Sequence, residues 1–115
     1  MSSSRETTSI FSIGLENFEN DVLEEDRAVL LLCMYRDTEF QRQIEIIEAL
    51  HKIYAAKLKT CVLKEEFIEV FMERYSIKGT PTFLIFIGGR EKNRMLGQSS
   101  LETLKDFLSE TLPPN

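Results

Sequence analysis

Short runs of consecutive apolar residues alternate along this chain with longer stretches in which apolar residues return every three or four positions. The run Ala28 to Met34, AVLLLCM, is apolar throughout and predicts a strand buried on both faces. Leu58 to Leu63, LKTCVL, predicts a second such strand, and Thr82 to Ile87, TFLIFI, a third, rich in β-branched and aromatic residues. Ser9 to Ile13, SIFSI, reads as a short edge strand. Helical spacing fills the intervals. Leu15 to Leu23 carries apolar residues at 15, 18, 22 and 23, and Glu39 to Ala56 carries them at 40, 44, 46, 47, 49, 50, 53 and 54. Glu65 to Tyr75 is helical by the same criterion. Gly88-Gly89 signals a hairpin turn into a more polar return strand, Glu91 to Leu96, which Gly97 breaks. Ser99-x-x-Glu102 has the form of a capping box opening a last helix, and Pro113-Pro114 ends it.

The predicted order is β-α-β-α-β-α-β-β-α. Strands that alternate with helices run parallel, and the final hairpin adds two antiparallel strands. The expected class is therefore α/β, with a mixed sheet covered by helices on both faces. A single domain over residues 9–115 follows a polar tail, 1–8, expected to be frayed.

Composition narrows the functions open to such a domain. A chain of 115 residues buries enough surface to fold without a metal or a disulfide. Its net charge of −5 argues against nucleic acid and against anionic membrane as partners. MSSSRETTS lacks the apolar core of a signal peptide, and the run Ala28 to Tyr35 is too short to span a bilayer. A cytoplasmic location is expected, and in a reducing compartment Cys33 and Cys61 are expected as buried free thiols.

The segment Ser76-Ile77-Lys78-Gly79-Thr80-Pro81-Thr82, an apolar strand after it, the Gly88-Gly89 hairpin and the later Gly97 form a specific combination. With FENDVLEEDRAVLLLCM upstream, the chain resembles the thioredoxin family from about Ser9 to Leu112. The resemblance implies a thioredoxin-like fold with a cis-proline at Pro81. It also implies where redox chemistry would lie: the family's Cys-Gly-Pro-Cys matches Thr38-Glu39-Phe40-Gln41, so both cysteines are absent. Dithiol exchange needs one thiolate to attack and a second to resolve the mixed disulfide. The family's buried aspartate matches Leu32, its lysine partner Val62, and the tryptophan before the first cysteine Asp37. No catalytic residue is therefore expected, and Thr38 with Gln41 reads as a capping box.

By resemblance, what survives is a groove that takes an extended peptide or protein segment as an added strand, lined by Asp37, Thr38, Phe40, Thr80, Pro81 and Gly97. Family members without the cysteine pair include assembly factors, for example in hydrogenase maturation. The leading expectation is a redox-inactive protein-binding module acting as a chaperone or assembly factor. The alternative is a thiol-disulfide oxidoreductase working through Cys33 or Cys61. No cofactor or metal is expected: His51 is the lone histidine and has no ligand cluster at metal spacing. Glu24-Glu25-Asp26-Arg27 reads as a solvated charge cluster, and Tyr35-Arg36-Asp37, at the end of a central strand, as a candidate partner contact.

Overall fold

A computed structural model describes residues 10–114; the tail expected over 1–8 lies outside them. Five strands form one mixed sheet in the order β1-β3-β2-β4-β5, with β1 Ile10–Ile13, β2 Ala28–Cys33, β3 Leu58–Leu63, β4 Thr82–Ile87 and β5 Arg90–Leu96. β3 pairs in parallel with both β1 and β2, while β4 runs antiparallel to β2 and β5. Every residue of β2 and β3 is buried. That is why β2 reads as a continuous apolar run and β3 as one interrupted only by Lys59 and Thr60, and why β5, an edge strand, reads as REKNRML.

Alternate residues divide the core in two. Leu30, Leu32, Val62 and Phe83 face α2 (Phe40–Tyr54) and α4 (Leu101–Thr111). Val29, Leu31, Cys33, Cys61 and Phe86 face a single π-type turn, α1 (Glu19–Leu23), and α3 (Ile68–Arg74). On that second face Phe18 meets Phe71, Tyr75 and Phe86 edge-on at centroid distances of 5.6, 5.9 and 5.8 Å. The hairpin turn uses Gly88 and Gly89 at φ 61° and 82°, the two left-handed positions that a type I′ turn needs. No helix among the described residues is long and apolar enough to cross a membrane.

Four local expectations change. The helix expected from Leu15 is a turn followed by α1, because Asn17 takes over the local hydrogen bonding. It accepts from the Gly14 N–H at 2.8 Å and donates to the Ser12 carbonyl and to Asp21. The helix expected over Glu65 to Tyr75 begins as a 3₁₀ turn, Glu65–Phe67. Thr38 does not cap α2. The N-cap is Glu39, without a side-chain bond, and Asp37 orders the turn before it, its carboxylate accepting from the Glu39 N–H at 2.9 Å and its carbonyl from the Phe40 N–H at 3.2 Å, while Gln41 turns outward to Glu45. The last helix is capped by Ser100, whose hydroxyl accepts from the Thr103 N–H, one residue later than the Ser99 expected. Ser99 is unavailable because both of its main-chain groups bond to Gln43 of α2, at 3.1 and 3.2 Å.

Candidate functional site

Register brings the expected groove together at one end of the sheet. Cys33, the last residue of β2, lies opposite Thr82, the first of β4, and Thr82 lies opposite Leu96, the last of β5. Everything just beyond that row therefore converges: Tyr35 to Thr38 after β2, Thr80 and Pro81 before β4, and Gly97 after β5. The Thr80–Pro81 peptide is cis. The Gly97 N–H donates to the Pro81 carbonyl at 2.8 Å, and the Thr82 hydroxyl donates to the Gly79 carbonyl at 2.6 Å, so the two walls are tied to each other. Thr80 precedes the first paired residue of β4, which leaves its peptide groups outside the sheet ladder.

Of the expected lining, Asp37 and Thr38 are exposed, Thr80 and Gly97 are half-buried, and Pro81 is buried. Phe40 differs in kind. Its ring packs on the α2/α4 side of the core, and the Arg36 guanidinium lies 4.4 Å above it. Arg36 is held there by its own donation to the Met34 carbonyl at 2.8 Å, and its N–H donates to the Glu65 carboxylate at 2.8 Å. Phe40 is thus structural support with Arg36 as its lid.

The sequence reading passed over Leu96, which is 61 % exposed. A Cβ placed on Gly79 would come within 3.5 Å of its side chain, so Leu96 stands beside the turn leading to Pro81. A signal was there: Met95 and Leu96 are consecutive in a period-two strand, and one of the two has to face out. Tyr35, 38 % exposed, supplies a second apolar surface two residues past the end of β2.

Beneath the groove the chemistry is apolar. Leu32 and Val62, the positions at which the resemblance implied an acid and a lysine in the family, lie directly opposite each other in the β2–β3 ladder and are buried. Cys33 and Cys61 share the other face, offset because Cys61 pairs with Leu31, and both are free thiols with no exposed surface. Burial pushes them up to about 11 and about 12, so both are protonated at neutral pH and poor nucleophiles. Among the described residues no group of three or more His, Cys, Asp or Glu is arranged to hold a metal ion. His51 lies on α2, half-buried, with its Nδ1 enclosed and unbonded.

Gln43 is the other residue that sequence reasoning missed. It is 1 % exposed, and its two bonds to Ser99 anchor the segment running from Gly97 into α4. Replacing it with leucine would strand the Ser99 N–H and C=O. We expect a loss of about 1–3 kcal/mol in urea unfolding, with faster hydrogen exchange at the Ser99 amide. Unchanged exchange there would show that Gln43 does not anchor the wall.

The charge cluster before β2 is not simply solvated. Lys59, the second residue of β3, is 5 % exposed and donates to the Asp21 carbonyl at 2.9 Å. Its ammonium lies 3.3 Å from Glu25 and 4.6 Å from the Phe11 ring, and Glu25 also accepts from Arg27 at 2.9 Å. A lysine in a doubly covered strand needs an anion within reach, and the cluster supplies one. No protein-family model matches the chain, and no curated protein sequence matches it either.

Proposed function

We propose that the chain is a thioredoxin-like domain without dithiol chemistry. In this reading it is a binding module that holds an extended segment of another protein, as a chaperone or assembly factor does. The observation that carries it is the pairing of Tyr35 and Leu96, two exposed apolar side chains, at the one sheet end where the Thr80 peptide groups stand outside the ladder. An incoming strand gains main-chain hydrogen bonds from such a segment and side-chain contacts from its apolar flanks. The strand order and the Thr80–Pro81 segment support the family resemblance. The Leu32–Val62 pair and the two protonated thiols support the absence of redox work.

The test is selection of extended peptides from a displayed random library, followed by fluorescence anisotropy with a synthetic winner. Binding should weaken about tenfold or more in Leu96→Ser and in Thr80→Arg, and should survive treatment of the native protein with iodoacetamide. Both substitutions fall on residues with exposed surface, which separates lost binding from lost folding. Peptides that bind equally well to both variants, binding abolished by alkylation, or catalysed reduction of insulin disulfides would each overturn the proposal.

A further inference from the structure

A second apolar surface lies on the face covered by α1 and α3, at the same end of the parallel strands as the groove. Leu15, in the turn after β1, is 46 % exposed, and Val70, on α3, is 44 % exposed. Both border one cleft, which the half-buried ring of Phe67 and the buried Phe18, Leu63 and Phe71 also line. The cleft is built closely. A Cβ on Gly14 would meet the Glu16 carboxylate at 2.6 Å and the Phe67 ring at 2.7 Å, so glycine lets the β1 exit approach the 3₁₀ turn before α3 this far. Its volume is about 10 Å³, no more than one water needs. That excludes a small-molecule ligand and suits the tip of a single apolar side chain.

The one charged residue lining the cleft is Arg74, and the surface around it carries exposed carboxylates. On a helix, residues three and four apart share a face. Glu66 and Glu73 therefore flank Val70 on its outer side, with Glu69 behind it, and all three are exposed. Across the cleft Leu15 is followed by Glu16 and Glu19. Two cations are present. Lys64 is bonded to Glu16 at 2.8 Å, and Arg74 closes one end. Glu66, in the 3₁₀ turn, and Glu69 and Glu73, on α3, follow one another over roughly 10 Å along this helical segment. Cations at the same spacing on a facing helix would meet all three.

We propose that this cleft docks a basic amphipathic helix of a partner protein. One apolar side chain of that helix sits between Leu15, Phe67 and Val70, and its lysines or arginines face Glu66, Glu69 and Glu73. Helix-in-groove recognition of this kind takes affinity from the apolar anchor and orientation from the charges. The carboxylate rim disfavours a second copy of this chain as occupant, because two such faces would repel one another. This surface shares no lining residue with the groove at Tyr35 and Leu96, although the Arg36 N–H bond to Glu65 joins the two neighbourhoods.

The probe is a fluorescein-labelled peptide of leucine and lysine only, with its leucines on one helical face. One twin has serine for leucine, and another has glutamate for lysine. Anisotropy with the full chain should show binding of the Leu/Lys peptide that is weaker at high salt and absent for both twins. Leu15→Ser and Val70→Ser should each weaken it about tenfold. The triple change Glu66→Gln, Glu69→Gln, Glu73→Gln should weaken it far more than a charge-matched change on α4, Glu102→Gln, Asp106→Asn, Glu110→Gln. Binding to the groove-selected peptide should be unaffected by all of these. No binding, binding insensitive to Leu15 and Val70, or equal losses in the two charge triples would overturn the proposal. So would a dimer in sedimentation that Val70→Ser dissociates, which would identify a second copy as the occupant.

Discussion

Replacing Phe86 with alanine should cost about 3–5 kcal/mol, a large part of the stability of a domain this size. Phe86 is 1 % exposed, and its ring is edge-on to Phe18 at 5.8 Å and to Tyr75 at 5.7 Å. It belongs to β4, a strand hydrogen-bonded on both sides, so the backbone cannot collapse into the space the ring leaves. The loss combines the transfer of a large side chain with a cavity that Phe18, Phe71 and Tyr75 would line. Urea unfolding of Phe86→Ala against wild type measures it, and Phe86→Leu should lose much less. A loss below about 1 kcal/mol would mean that the aromatic cluster closes over the gap.

The second large effect is a pH-dependent one at Glu25. The Arg27 guanidinium, the Arg27 N–H and the Lys59 ammonium hold this carboxyl down at about 2 against the ordinary 4.5, although desolvation pushes the other way. A folded-state value below the unfolded one means that the unfolded chain binds the extra proton. The contribution is complete above pH 4.5 and is lost as pH falls from 4.5 towards 2. Because solvent reaches part of the pair, about 1–2 kcal/mol is expected at neutral pH. Glu25→Gln should therefore be less stable than wild type by that amount at pH 7, and the gap should shrink by more than half between about pH 5 and pH 3. A gap that stays constant with pH would assign the effect to lost packing.

Much of the sheet was readable because its strands are buried on both faces. AVLLLC and TFLIFI are nearly unbroken apolar runs, LKTCVL is one interrupted by Lys59 and Thr60, and each ends within a residue of where the pattern ends. Local caps were less readable. Thr38 and Asp37 both suit the start of α2, as Ser99 and Ser100 both suit α4, and the choice depends on partners far along the chain. Gln43 claims Ser99 across 56 residues, a coupling that no local pattern carries. Lys59 and Glu25 are a similar case. The lysine announces a need for an anion, but its partner lies in the loop before β2, separated from it along the chain by β2 and α2. At the groove the positions of Thr80, Pro81 and Gly97 followed from the resemblance. The inward packing of Phe40 and the outward face of Leu96 required the three-dimensional register.

The strand order also dictates how the sheet comes into being. β4 and β5 meet through a two-glycine turn, whereas β2 reaches β4 only after the chain has closed a loop from Cys33 to Thr82. Hairpins form within microseconds, and a long loop costs more entropy to close. During synthesis β2 leaves the ribosome as an unbroken apolar strand whose β4-facing edge has no partner until the last third of the chain follows. That interval is when this protein is most exposed to misassociation.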